Sequence, residues 1–145
     1  MEVVFRDEQN HPGFKIRKSG LFISESHPFL AGTPDALMDC PCHGTSVIEV
    51  KCPYKHRTQL LRVAAEEDRS FCLFIDDDGD LNLKKTHDYY FQIQTQMFVS
   101  GVKIGFFVVY STVDLIVVPV LFDQSVVDAI VSKCKLFTIN VTLLN

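Results

Sequence analysis

Gly32-Thr33-Pro34-Asp35 and, after a short Cys-rich connection, Val47-Ile48-Glu49-Val50-Lys51 form the stretch on which the reading of the fold turns. Thirteen residues separate Asp35 from Glu49. Val47 to Lys51 reads as a strand, in which successive side chains alternate faces. Glu49 and Lys51 therefore share one face while Val50 points into the core. At a rise of about 3.3 Å per residue their Cβ atoms lie about 6.6 Å apart, a spacing that sets a carboxylate and an ammonium around one phosphate. If Asp35 sits on a neighbouring antiparallel strand, its carboxylate converges on the same patch. Two carboxylates are the hard oxygen ligands that Mg²⁺ accepts while keeping its waters for phosphodiester chemistry.

A Pro-Asp pair followed by Glu-x-Lys is a loose pattern, and Glu-x-Lys on a strand is commonly a solvated face. A second patterned segment, Tyr89-Tyr90-Phe91-Gln92-Ile93-Gln94-Thr95-Gln96-Met97, narrows the reading. Thr86 to Ser100 has the marks of a helix: Thr86 as a candidate N-cap, Asp88 in the first turn and Gly101 at the C-terminal cap. Tyr90, Ile93 and Met97 form its core stripe, and Tyr89, Gln92 and Gln96 repeat the same spacing on another face. An amide there can hold a water or a phosphate oxygen.

The remaining chain is that of an ordinary globular domain. It has 145 residues, 47% of them hydrophobic and 22% charged, with a net charge of −4, which argues against a generic nucleic-acid coat protein but not against a carboxylate metal site. Five cysteines, an odd number, and no signal peptide point to a reducing intracellular compartment, nucleus and cytoplasm undistinguished. The most apolar region, Ile104 to Phe122, is interrupted by Asp114 and Pro119 and reads as two buried strands, so no membrane span is expected. Lys15, Arg17 and Lys18 read as a solvated strand edge.

Cys40-Pro41-Cys42-His43-Gly44 reads as a hairpin tip returning into the Glu49 strand. With Cys52 it has the donors of a zinc site but lacks the usual second ligand pair, and reduced turn cysteines are the better reading. Cys52 reads as a buried thiol at the strand end. Thr58 to Glu67 has helical character, and Lys55 and Arg57 just before it stand where phosphates would be met. Phe71 to Lys84 reads as a hairpin around the acidic turn Asp76 to Asp80. Val126 to Phe137 resembles a closing amphipathic helix, with the last residues trailing away.

The segments Gly20 to Ser24, His27 to Asp35, Ile48 to Tyr54 and Tyr89 to Met97 together resemble the YqaJ-like viral recombinases, relatives of phage lambda exonuclease in the PD-(D/E)xK nuclease superfamily. The resemblance implies an α/β fold, a restriction-endonuclease-like mixed central sheet flanked by helices. It further implies Mg²⁺-dependent (or Mn²⁺-dependent) hydrolysis of phosphodiesters in linear duplex DNA during recombination or repair. On this reading Asp35, Glu49 and the Val50 carbonyl hold the metal, Lys51 orients or deprotonates the attacking water, and Gln92 matches the family's Tyr-x-x-Gln. Thr33, Lys55, Arg57, Tyr89 and Gln96 are the candidate nucleic-acid contacts.

Family analogy alone suggests a homo-oligomer. Relatives carry an upstream helix with a further acidic ligand, for which Met1 leaves too little sequence, so one N-terminally truncated domain over residues 1–145 is expected. Neither Glu2 nor Glu25 takes that ligand's role. Two other classes stand beside the nuclease: a truncated or weakly active copy that binds DNA or protein, and a zinc-stabilised interaction module. Asp35, Glu49, Lys51 and Gln92 occurring together favour the nuclease.

Overall fold

A computed structural model describes residues 13–42 and 44–144; Glu2 and His43 lie outside them. The elements run β1 (Lys15–Lys18), β2 (Phe22–Ile23), β3 (Ala31–Gly32), β4 (Ala36–Cys40), β5 (Gly44–Lys51), a 3-10 turn (Tyr54–His56) and α1 (Leu61–Glu67). There follow β6 (Leu73–Ile75), β7 (Leu81–Leu83), α2 (Asp88–Ser100), β8 (Ile104–Tyr110), β9 (Leu115–Leu121) and α3 (Gln124–Leu144). Five strands make the central sheet in the order β1-β4-β5-β8-β9. β5 and β8 are parallel and the other pairs antiparallel. The sheet is mixed, and the α/β expectation holds.

A parallel pair needs a long crossover, and here it carries α1, the β6–β7 hairpin and α2. The alternation along β5 sorts its side chains. Val47 joins Leu37, Phe107, Ile93 and Met97 in the main core under α2, whereas Ile48 and Val50 pack with Ala36, Met38 and Val108 on the opposite face. Glu49 and Lys51 continue the α2 face past the end of its apolar lining. Val50 is half-buried.

α2 sits close to the sheet because Gly105 on β8 has no side chain. A Cβ there would lie 2.9 Å from Ile93 Cδ1 and 3.0 Å from Val47 Cγ2. The helix is capped by His87, whose side chain accepts the Tyr89 N–H at 3.1 Å, not by Thr86. An imidazole nitrogen one residue nearer the first turn serves as the acceptor that a hydroxyl was expected to provide. Gly101 takes the left-handed conformation at φ 73°, and its N–H caps the helix's last carbonyls, as expected. Tyr90, Ile93 and Met97 are buried, as their spacing indicates.

Other departures have local causes. α1 begins at Leu61 rather than Thr58, because its leading N–H is capped at 3.0 Å by Asp114 from the β8–β9 turn. α3 continues to Leu144, beyond the expected end at Phe137. Cys52 is exposed, because the chain leaves the sheet after Lys51. It also stands at the opposite end of an eight-residue strand from Cys40 and Cys42, roughly 25 Å of extended chain, so it cannot complete a site with them. The hairpin around Asp76 is present, with Asp76 Oδ1 accepting the N–H groups of Asp78 and Asp80 at 3.0 and 2.9 Å. Arg17 on the exposed edge strand β1 pairs with Asp39 of β4 at 2.7 Å, and Glu25 lies in an exposed bend.

Gly105→Ala should lower stability by about 1–3 kcal/mol, since the added methyl must displace Ile93 or Val47. Urea unfolding checks this, and an unchanged midpoint would contradict the close approach of α2.

Candidate active site

The site forms where β4 and β5 part. Their antiparallel pairing ends at Ala36 opposite Ile48, while β5 continues to Lys51 paired only with β8. Pro34 has no N–H to extend the ladder. Instead Asp35 Oδ2 accepts the Val50 N–H at 2.8 Å, and Glu49 Oε1 accepts the Asp35 N–H at 3.0 Å. Each carboxylate is thus oriented by the backbone of the other's strand. The N–H and C=O of one strand residue point to the same side, so the Val50 carbonyl opens on the Asp35 side.

Glu49 is 3% exposed and Asp35 is exposed, so one carboxylate lies at the floor of the notch and the other at its lip. Lys51 Nζ stands 3.7 Å from Glu49 Oε2 and 4.8 Å from the centre of the Tyr89 ring. The ring is braced by His87 at 4.5 Å and Phe107 at 5.7 Å between centroids. Tyr89 and Gln96, one helical face apart by two turns, therefore frame the pair: Tyr89 at the lysine, Gln96 at Glu49.

Burial first, and the neighbouring Asp35 charge second, raise the Glu49 carboxyl above its ordinary range. The Asp35 N–H, the Gln96 side chain and Lys51 act against that rise. A cation held between the two carboxylates would offset the two leading causes together. The donors are two carboxylates and a strand carbonyl, an all-oxygen set suited to Mg²⁺, which is commonly bound by one or two protein carboxylates with waters completing its shell. The residues therefore fit the metal. Among the described residues no group of three His, Cys, Asp or Glu side chains gathers, and this site itself offers two carboxylates.

The other expected residues fall into distinct places. Gln92 is exposed and, with Thr33 and Gln96, lines a cavity of about 390 Å³ between α2 and the chain from Ala31 to Thr33, whose lining does not include Asp35 or Glu49. Gln96 is buried, its Oε1 without a hydrogen-bond partner, and its side chain acts to lower the Glu49 carboxyl, rather than being presented to solvent as a nucleic-acid contact would be. Gln94 is a fold element: its amide donates to the Leu121 carbonyl at 2.8 Å and accepts the Asp123 N–H at 2.9 Å. Lys55 and Arg57 lie beyond the Lys51 end of β5, both exposed, Lys55 3.2 Å from Asp68 and Arg57 3.9 Å over the Tyr54 ring. Their segment is pinned by His56, buried and 2.7 Å from Asp68, a lock the sequence reading missed. Its signal, a lone His and an Asp twelve residues on, is too common to stand out.

The YqaJ-like viral recombinase domain matches residues 1–103, well over half of the 145 residues. The chain belongs to that family. Among solved structures, LHK-Exo in complex with dAMP is similar to the YqaJ-like domain with a TM-score of 0.66 at 19% identity, covering 98% of this chain and 64% of that one. The alkaline exonuclease LHK-Exo from Laribacter hongkongensis gives 0.62 at 17% identity with the same coverage of 98% and 64%. At such identities the likeness establishes a shared fold, the nuclease fold expected from the motifs. The YqaJ-like domain spans less than two thirds of the length of these structures. Among curated proteins none matches it. No helix of the described residues is long and apolar enough to cross a membrane.

The raised Glu49 carboxyl carries a pH signature. Without metal, the folded state holds that proton to higher pH than the unfolded chain, so stability is greatest below the unfolded value and declines as pH rises through the folded one. Thermal melts in chelator should show Glu49→Gln gaining on the wild type from mildly acidic to neutral pH. Mg²⁺ should raise the melting temperature of the wild type and not of Glu49→Gln. A variant that instead loses ground as pH rises would contradict the site's electrostatics.

Proposed function

We propose that this domain is a metal-dependent DNA nuclease of exonuclease type, hydrolysing phosphodiesters of linear duplex DNA in recombination or repair. The observation that carries the reading is the convergence of Asp35, Glu49 and Lys51 on one notch at the end of β5. Membership of a viral recombinase family and a fold shared with an alkaline exonuclease favour the same class.

Asp35, Glu49 and the Val50 carbonyl would hold Mg²⁺ or Mn²⁺. The chemistry such an ion supplies is polarisation of the phosphodiester and a lowered pKa for a bound water. Lys51 sits on the same strand face, its ammonium held between Glu49 and the Tyr89 ring. From there it orients the attacking water and offsets negative charge that grows on the phosphate. Gln92, exposed at the cavity mouth, offers an amide to a phosphate oxygen. Thr33, Lys55 and Arg57 would bind backbone phosphates and fix the duplex end against the notch.

Asp35→Ala, Glu49→Ala and Lys51→Ala should each cut nucleotide release from linear duplex DNA by about 10²-fold or more while circular dichroism stays unchanged. Gln92→Ala should lower turnover with little effect on stability, within about 0.5 kcal/mol, because it is exposed. Chelator should abolish release and Mg²⁺ restore it. Undiminished cutting by Glu49→Ala would overturn the assignment.

A further inference from the structure

Lys51 can act on water or phosphate only through N–H donors that are free, and a carboxylate stands close enough to take them. An ammonium carries three donors at the end of a flexible four-carbon stem, and Glu49 projects from the same strand face two residues away. Yet Lys51 Nζ stops 3.7 Å from Glu49 Oε2, inside ion-pair reach and beyond hydrogen-bonding distance. Its second neighbour is the face of the Tyr89 ring, whose centre is 4.8 Å from Nζ. An aromatic face draws a cation through its quadrupole, with no N–H committed to an acceptor atom.

The ring is itself fixed by its surroundings. Tyr89 is half-buried, with the His87 ring 4.5 Å and the Phe107 ring 5.7 Å away between centroids. His87 Nδ1 also accepts the Tyr89 N–H at 3.1 Å, so the residue that caps α2 sets both the backbone and the ring of Tyr89. Phe107 is fully buried on β8 and stands opposite Glu49 in the parallel register. The ring is thus braced by the same strand pair that carries the carboxylate.

We propose that Tyr89 is a positioning residue for Lys51: its ring face, braced by His87 and Phe107, keeps the ammonium off Glu49 with its donors free for the attacking water and the phosphate. The inference rests on the nuclease reading of the notch. It gives the aromatic face, and not the phenol hydroxyl, the working role.

The test uses the full chain and begins without metal. In lysine-labelled protein in chelator, the Lys51 side-chain NMR signals, assigned by their loss in Lys51→Arg, should lie upfield because of the Tyr89 ring current. Tyr89→Phe should keep that shift and Tyr89→Leu should lose it. On linear duplex DNA at saturating Mg²⁺, Tyr89→Leu should lower kcat about 10- to 100-fold through misplacement of the ammonium, with KM for DNA unchanged. Tyr89→Phe should recover most of that loss, and Tyr89→Leu should cost nothing further in a Lys51→Ala background. His87→Ala leaves Tyr89 in the chain and removes one brace, so it should reduce the upfield shift and kcat together even where leucine at 89 prevents folding. Wild-type Lys51 signals without an upfield shift overturn the inference and leave the nuclease reading standing. So does a Tyr89→Phe variant as impaired as Tyr89→Leu, or a loss that appears only in KM, the mark of a nucleic-acid contact. No metal-dependent cleavage by the wild type overturns the nuclease reading and the inference with it.

Discussion

The exchange of hydrogen bonds between Asp35 and β5 is the constraint on which the rest of the site depends. A sheet ladder that stops must leave backbone groups to be satisfied by something else. Here the proline before Asp35 ends the pairing, and the aspartate's own side chain takes the next rung by accepting the Val50 N–H. Glu49 returns the contact by accepting the Asp35 N–H. Two carboxylates are thereby held side by side at a strand end, one of them buried. That is unfavourable for the bare chain and useful to a cation, which is why the same geometry satisfies the backbone and builds a site.

The parallel pairing of β5 with β8 supplies the second half of the arrangement. Because the connection has to cross over, α2 is laid across the face that carries Val47, Glu49 and Lys51. Two close approaches set how near it lies: Gly105 under Ile93 and Gly32 beside Gln96. Either glycine replaced by a larger residue would lift or tilt the helix, and the distance from α2 to the carboxylates would change with it.

The three alternate glutamines of α2 show how one helix serves different ends. Gln92 faces the open cavity, Gln94 sutures the helix to the end of β9, and Gln96 is buried against Gly32. A helix against a single layer has one polar face for such side chains. This one is covered by the sheet, by the β2–β3 ribbon and by α3, so Gln94 and Gln96 are drawn inside while Gln92 stays exposed, and of the buried pair Gln94 is satisfied at both ends whereas Gln96 keeps an unpartnered oxygen.

The sequence by itself determined the strand at Val47 to Lys51, the hairpin through Cys40 to Gly44, the β8–β9 pair and the core stripe of α2, each written in a local period or turn signal. The mixed α/β architecture was legible only through the resemblance of its motifs to a known family. The sequence also placed Asp35, Glu49 and Lys51 as a group, because strand alternation puts Glu49 and Lys51 on one face whatever the neighbours do. Tertiary structure alone decided the rest. The cap of α1 comes from Asp114, far away in sequence, the cap of α2 from His87, and the exposure of Cys52 from the point where the chain leaves the sheet. Gln92 and Gln96 share one helical spacing, so periodicity treats them alike. Only the distance of closest approach between α2, β3 and β5 separates an amide in the cavity mouth from one buried against Gly32, and that distance is set by contacts between segments remote in the chain.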